Sequence, residues 1–247
     1  MDVGIQLYSL RKLGESTASL VERAADAGFD GVEFAGVDDT DQTKAALGDT
    51  GVTASSAHVP IEELESDLDA VCERYESLGV ETLVVPYLPP EDFADADTVE
   101  KTAHRLDDLT ARCDDRGFRL LYHNHNHELH TVAGEPALDR LAAESGIGFE
   151  LDVAWILAAG YDPTDYLERY ADRTPFVHLK DVVLDADAEL GGHPVALGDG
   201  EVDIDDCLAV AREGFVEWVI VEHDDPEDPA EFCRTSGATI TALRGEN

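Results

Sequence analysis

Lysine is scarce in this chain: 4 of 247 residues, beside 13 arginines and 55 aspartates and glutamates. The formal net charge of −38 therefore meets no basic block. A polyanion repels nucleic-acid phosphates, which argues against a nucleic-acid partner. Long apolar runs are also missing. No stretch approaches the ~18 residues that span a bilayer. The opening MDVGIQLYSL has no basic region followed by an apolar run. A cytoplasmic protein without a membrane partner is expected. No CxxC pair occurs. Cys72, Cys113, Cys207 and Cys233 lie far apart in sequence and read as buried, reduced thiols, with a zinc or redox site as the other reading. No glycine-rich phosphate loop follows the first strand, so the signature of a doubly wound dinucleotide-binding sheet is absent.

What is present points to a folded, globular chain. Apolar residues make up 43% of the chain, enough for a continuous core. The plain reading of the acidity is an ordinary acidic protein. Acidity together with scarce lysine instead reads as adaptation to salt. Self-repulsion destabilises a compact fold, and molar salt shortens the screening length to ~3 Å.

Eight β-type runs alternate with amphipathic helical stretches: Val3–Tyr8, Gly31–Phe34, Thr53–His58, Thr82–Pro86, Arg119–Asn124, Gly148–Asp152, Phe176–Lys180 and Trp218–Glu222. Several are rich in Val, Ile and Leu, as strands buried on both faces are. Helices are expected after Ser19 (a capping-box pattern with Glu22, stopped by Gly28) and over Glu62–Leu78, Asp97–Arg116, Pro163–Ala171, Asp203–Arg212 and Pro229–Leu243. Asp181–Glu201 reads as a long structureless loop. Eight such units in 247 residues specify an α/β fold, a closed (β/α)8 TIM barrel, as a single domain over residues 1–247.

Barrel active sites form where strands end. Strand two ends near Glu33 and strand three at His58. Strand five runs into Tyr122-His123-Asn124-His125-Asn126-His127-Glu128. Strand six ends at Asp152, strand seven at His178 and Lys180, and strand eight at Glu222. Each has a plainer role: Asp152 as a helix cap, His178 and His58 as core histidines, Glu222 as a solvated strand end, the His run as a solvated turn. Together Asp152, His178 and Glu222 offer carboxylate, imidazole and carboxylate, a donor set that suits Mn²⁺, Mg²⁺, Co²⁺ or Zn²⁺.

GIQLYSLR, GFDGVEF, YHNHNHE, LDVAW, HLKD, LGDGEVD and VIVEHD occur in this order along nearly the whole chain. This pattern resembles the sugar phosphate isomerase/epimerase group of the xylose isomerase-like TIM barrels. The resemblance implies one divalent metal held by a strand-five carboxylate, Asp152, His178 and Glu222. Many relatives end strand five with Glu; this chain has His123 or His125 there. Glu128 is the preferred fourth ligand, with His123 and His125 lining the substrate site. Trp155 stands where some relatives carry a histidine, and forms either an apolar wall for a sugar face or simple packing. His58 and Lys180 are further substrate contacts or, alternatively, structural groups; for Lys180 that alternative is a salt bridge to Asp181 or another barrel carboxylate. Glu33 is a substrate contact or a support behind a ligand, with a helix or loop contact as its plainer role. The implied chemistry is proton abstraction next to a carbonyl, through a metal-stabilised enediolate, on a small sugar or polyol. Glu222 is the expected base, with Glu128 and His125 as further catalytic candidates. Isomerase/epimerase and an inosose-dehydratase-like lyase both fit, and the His-rich strand five is closer to the second. A non-catalytic sugar- or metal-binding barrel is the alternative from another class, and a three-zinc apurinic endonuclease is disfavoured by the lack of a basic groove. Barrels of this group often pair, so a homo-oligomer is among the expected forms.

Overall fold

The computed structural model describes residues 1–188 and 190–244. Eight strands close into a parallel barrel: β1 (Asp2–Gln6), β2 (Gly31–Phe34), β3 (Thr53–His58), β4 (Thr82–Val85), β5 (Arg119–His123), β6 (Gly148–Asp152), β7 (Phe176–Leu179) and β8 (Trp218–Val221). The ring closes where β1 pairs with β8, Asp2 opposite Trp218 through Ile5 opposite Val221. All eight expected strands form. Five of them stop one or two residues short of the expected end, because Tyr8, Pro86, Asn124, Lys180 and Glu222 have left the ladder to serve the mouth.

Nine helices are described: α1 (Thr17–Ala27), α2 (Thr40–Thr50), α3 (Ile61–Glu76), α4 (Ala96–Asp114), α5 (Ala137–Glu144), α6 (Val153–Ala158), α7 (Pro163–Arg169), α8 (Ile204–Glu213) and α9 (Pro229–Arg244). Sequence reading places six of them and passes over α2, α5 and α6. The cap of α1 is also corrected: Ser16, not Ser19, accepts the N–H of Ser19, and the helix begins one turn earlier. Gly28, at φ 88°, ends it as expected. Asp181–Glu201 is not structureless. Asp181–Leu184 pairs antiparallel with Gly192–Val195.

Strand alternation divides the core. One set of side chains, Val3, Ile5, Val32, Leu83, Leu120, Val177 and Val219 among them, belongs to the main core cluster with the helices. The alternate set forms the barrel interior. Near the strand starts it is the small apolar cluster Val84, Leu121, Phe176 and Ile220, with Trp218 against it. Two positions further on, the same face carries charged and polar groups.

Candidate active site

That polar layer begins below the mouth. Glu33 on β2 is fully buried. Its Oε2 accepts from Gln6 Nε2 at 2.7 Å, its neighbour in register, and its Oε1 from Ser56 Oγ at 2.6 Å. Oε2 also lies 2.7 Å from His178 Nε2 and 3.1 Å from His58 Nε2. Glu150 on β6, also fully buried, completes the layer. Its Oε2 lies 2.7 Å from His58 Nε2 and 3.1 Å from His178 Nε2. Burial alone would lower the pKa of both histidines. The carboxylates outweigh it, raising His58 to about 9 and His178 well above the ordinary imidazole value. Burial likewise opposes ionisation of Glu33, and the two imidazoles overcome it and hold the carboxyl well below its usual range.

One layer up, Asp152, His178, Lys180 and Glu222 meet. His178 Nδ1 lies 2.8 Å from Glu222 Oε2. Lys180 Nζ lies 2.7 Å from Glu222 Oε2, 3.1 Å from Asp152 Oδ2 and 3.2 Å from Asp224 Oδ2. Burial disfavours the ammonium, and Asp152, Asp224 and Glu222 more than restore it. Glu222 is pushed below the normal carboxylate range, because Lys180 and His178 outweigh its burial. Asp152 stays the less acidic partner, at about 6. Burial raises it, and Lys180 and His178 offset only part of that. Its Oδ1 accepts the N–H of Trp155, so the cap expected from the sequence is real. Its Oδ2 is buried and makes no hydrogen bond. His123 comes in from β5, with Nε2 3.9 Å from that oxygen. Burial and then the neighbouring His178 lower the His123 pKa well below 6.5, so the ring is neutral near pH 7.

Candidate ligand atoms gather in two overlapping groups among the described residues. His123, Asp152, His178 and Glu222 form one, and His58, His123, Glu150 and His178 the other; within each group the atoms lie within 4.8 Å of one another. Glu128 belongs to neither. Tyr122 donates to its Oε1 at 2.5 Å and the His125 N–H to its Oε2 at 2.9 Å. A short helical turn, His127–Leu129, folds this carboxylate back beneath the strand end. The strand-five position in the cluster is taken by His123. His123, the last residue of β5, points inward by strand alternation, whereas Glu128 lies past the strand end in the turn.

A cavity of about 390 Å³ opens above the cluster. His58, His123, His125, Lys180, Glu222 and Asp224 line its polar side; Tyr8, Tyr87, Pro60 and Pro86 form apolar walls. His125 is held neutral, its pKa pushed to about 3 by burial and by Lys180. Two expected contacts lie elsewhere. Glu33 sits beneath the cavity, because Gln6, Ser56 and the two imidazoles take its oxygens. Trp155 is buried under the site, its ring stacked on His125 at 6.4 Å and 5.3 Å from Lys180 Nζ. Lys180 pairs with Asp152, Glu222 and Asp224. Asp181, the neighbour named for it, instead accepts the N–H groups of Val182, Gly198, Gly200 and Val202, pinning the LGDGEVD segment. A Cβ at Gly200 would stand 2.2 Å from Asp181 Oδ1, which explains the glycine there.

Sequence reading missed Glu150, Gln6, Ser56 and Asp224. Glu150 stands two residues before Asp152 and Ser56 two before His58 on the same strands, so alternation alone would have found them; Gln6 is the in-register partner of Glu33, and Asp224 lies past the end of β8.

Comparison with known proteins agrees with this fold. The model of the xylose isomerase-like TIM barrel family matches residues 21–236. An inosose dehydratase of Geobacillus kaustophilus is 34% identical over 134 residues, 48% of this chain and 42% of that protein. The chain spans about half the length of the curated relatives it matches in this way. A sugar phosphate isomerase/epimerase from Parabacteroides distasonis superposes with a TM-score of 0.80 at 18% identity, covering 98% of each chain. The IOLI protein, solved with a binding zinc atom, superposes at 0.79 and 18%, again over 98% of each chain.

Proposed function

The chain belongs to the xylose isomerase-like TIM barrel family, and from that premise we propose that it is a divalent-metal-dependent lyase of the inosose dehydratase kind, removing a proton next to a carbonyl of a small keto-polyol or keto-sugar. The observation that carries this reading is the gathering of His123, Asp152, His178 and Glu222 under one cavity. These residues suit a divalent cation. Asp152 and Glu222 supply hard oxygens, His123 a neutral imidazole, and Asp152 Oδ2 is a buried acceptor without a hydrogen bond. His178 Nε2 is engaged by Glu33, which leaves Nδ1, beside Glu222, as its ligand atom. A cation bound there would polarise the substrate carbonyl and stabilise the negative charge developing on its oxygen.

The chain's own groups divide the rest. Glu222, held ionised, takes the proton from carbon. Lys180, held as an ammonium on the cavity wall, donates a proton to the departing hydroxyl, which leaves as water. His58 and His125 hold substrate hydroxyls, and Tyr8 and Tyr87 face its apolar side. An epimerase needs a second base on the other face of the substrate. Of the two further candidates, Glu128 is committed to Tyr122, and His125 on the cavity wall, its pKa pushed to about 3, is a weak base. An isomerase needs only one base, so isomerisation is the second reading. His58, raised to about 9, and Lys180 both line the cavity, and each is already paired with buried carboxylates, which favours an unphosphorylated substrate.

The test is incubation of Mn²⁺-loaded protein with inososes and ketohexoses in deuterated molar KCl. The proposal expects deuterium at the carbon next to the carbonyl only in substrate that also loses water. Deuterium exchange with an isomeric sugar as product favours the second reading. No exchange with either class leaves a binding barrel.

A further inference from the structure

Lys180 holds an unusual place for a cation that only supports a site. The residue is 1% exposed. Its ammonium lies between Asp152 Oδ2 and Glu222 Oε2, at 3.1 and 2.7 Å. Those two oxygens are ligand atoms in the metal reading proposed above, on which this inference rests. Asp152 Oδ2 lacks any hydrogen bond, so the ammonium is its charge partner in the structure. Asp224 lies on the cavity side of the same ammonium, with Oδ1 and Oδ2 each 3.2 Å from Nζ.

We propose that Lys180 and the divalent cation are alternatives for one position: the ammonium neutralises Asp152 and Glu222 when no metal is bound, and metal binding drives it onto Asp224 at the cavity wall. The physical reason is crowding of like charge. A dication that shares both oxygens with an ammonium at 3 Å separation meets strong repulsion in a buried site. The lysine stem is flexible and its charge is a point, so it relocates where a guanidinium fork would not. Asp224 supplies the counter-charge that makes the second position stable. The arrangement gives the metal-free protein a neutralised core and the loaded protein a cation turned toward substrate.

Mg²⁺ binding measured by calorimetry in molar KCl tests this, with Trp155 emission as a second readout in a Trp218→Phe background. Lys180→Met is expected to bind Mg²⁺ about 10–100-fold more tightly than the parent, because nothing has to be displaced. Lys12→Met removes a charge that pairs with Asp225 on the same rim and is expected to change affinity less than about 3-fold. Mg²⁺ should shift Trp155 emission in the parent, since the ammonium leaves its place 5.3 Å from that ring, and should leave it unchanged in Lys180→Met. Equal or weaker binding in Lys180→Met, or an equal gain in Lys12→Met, would overturn the exchange while the metal reading stands. No Mg²⁺ or Mn²⁺ binding by parent or variant would overturn both.

Discussion

The two ends of the barrel are built on the same eight strands and the same alternation, yet they solve opposite problems. At the floor, Val84, Leu121, Phe176 and Ile220 fill the interior, with Trp218 against them. Space for them comes from missing side chains on nearby strands. A Cβ on Gly31 would stand 2.5 Å from the Trp218 ring, and one on Gly148 2.7 Å from Leu121. At the mouth, two residues along, the interior positions hold Glu33, Glu150, Asp152, His178 and Lys180, each no more than 1% exposed. Burying such charges is costly unless each is paired. The network supplies pairs nearly everywhere, and the atoms it leaves over, Asp152 Oδ2, Glu150 Oε1 and His123 Nδ1, all lie in this layer. The floor is satisfied by shape alone. The mouth is satisfied by charge and has acceptors to spare, which is the condition for taking a cation.

Removing charge from the mouth without disturbing its geometry should produce the largest effect. Asp152→Asn keeps the Oδ1 that caps Trp155 and turns a ligand oxygen into an N–H₂. Turnover is expected to fall by about 10³-fold or more, with metal content near zero by elemental analysis. Full metal content in this variant would shift the site to the deeper group around Glu150. A smaller loss is expected one layer down. In Glu33→Gln the amide can keep its bond from Ser56 while turning a donor toward His178 Nε2. The imidazole proton then moves to Nδ1, the nitrogen beside Glu222. Metal affinity should drop about 10–100-fold, the usual effect of losing a histidine's outer carboxylate. Unchanged affinity would mean that His178 does not depend on Glu33 for its tautomer.

The same contrast explains what could be read from the sequence. The eight strands were legible because burial on both faces leaves near-continuous apolar runs. Asp152 and Glu222 stood out because each ends such a run, and His178 because it interrupts one. Helices α2, α5 and α6 were not. α2 carries Gly48 and few apolar positions, and α5 and α6 have only 8 and 6 residues, too short for a period to declare itself. Glu128 was misplaced for a different reason. Its charge suggested a ligand, while its position one residue off the inward alternation, after a turn that begins at Asn126, put it against Tyr122. For Glu33 two roles stood open, contact with substrate and support behind a ligand, because sequence says which residue stands near a strand end, not how deep in the barrel it lies.

The floor gives the smallest predicted effect, and it separates the two ends most cleanly. Gly31→Ala places a methyl 2.5 Å from the Trp218 ring and 2.9 Å from the Thr53 carbonyl oxygen. The ring can tilt, but the β3 backbone cannot move without breaking its ladder with β2. Overpacking of this kind costs about 1–3 kcal/mol, so the melting temperature in molar KCl should fall by a few degrees. Metal content and affinity should remain those of the parent, because the Val84–Leu121–Ile220 layer stands between this contact and the ligands. A loss of affinity as large as that in Glu33→Gln would show that floor and mouth are one mechanical unit, and that apolar packing positions the ligand imidazoles as strongly as their carboxylate partners do.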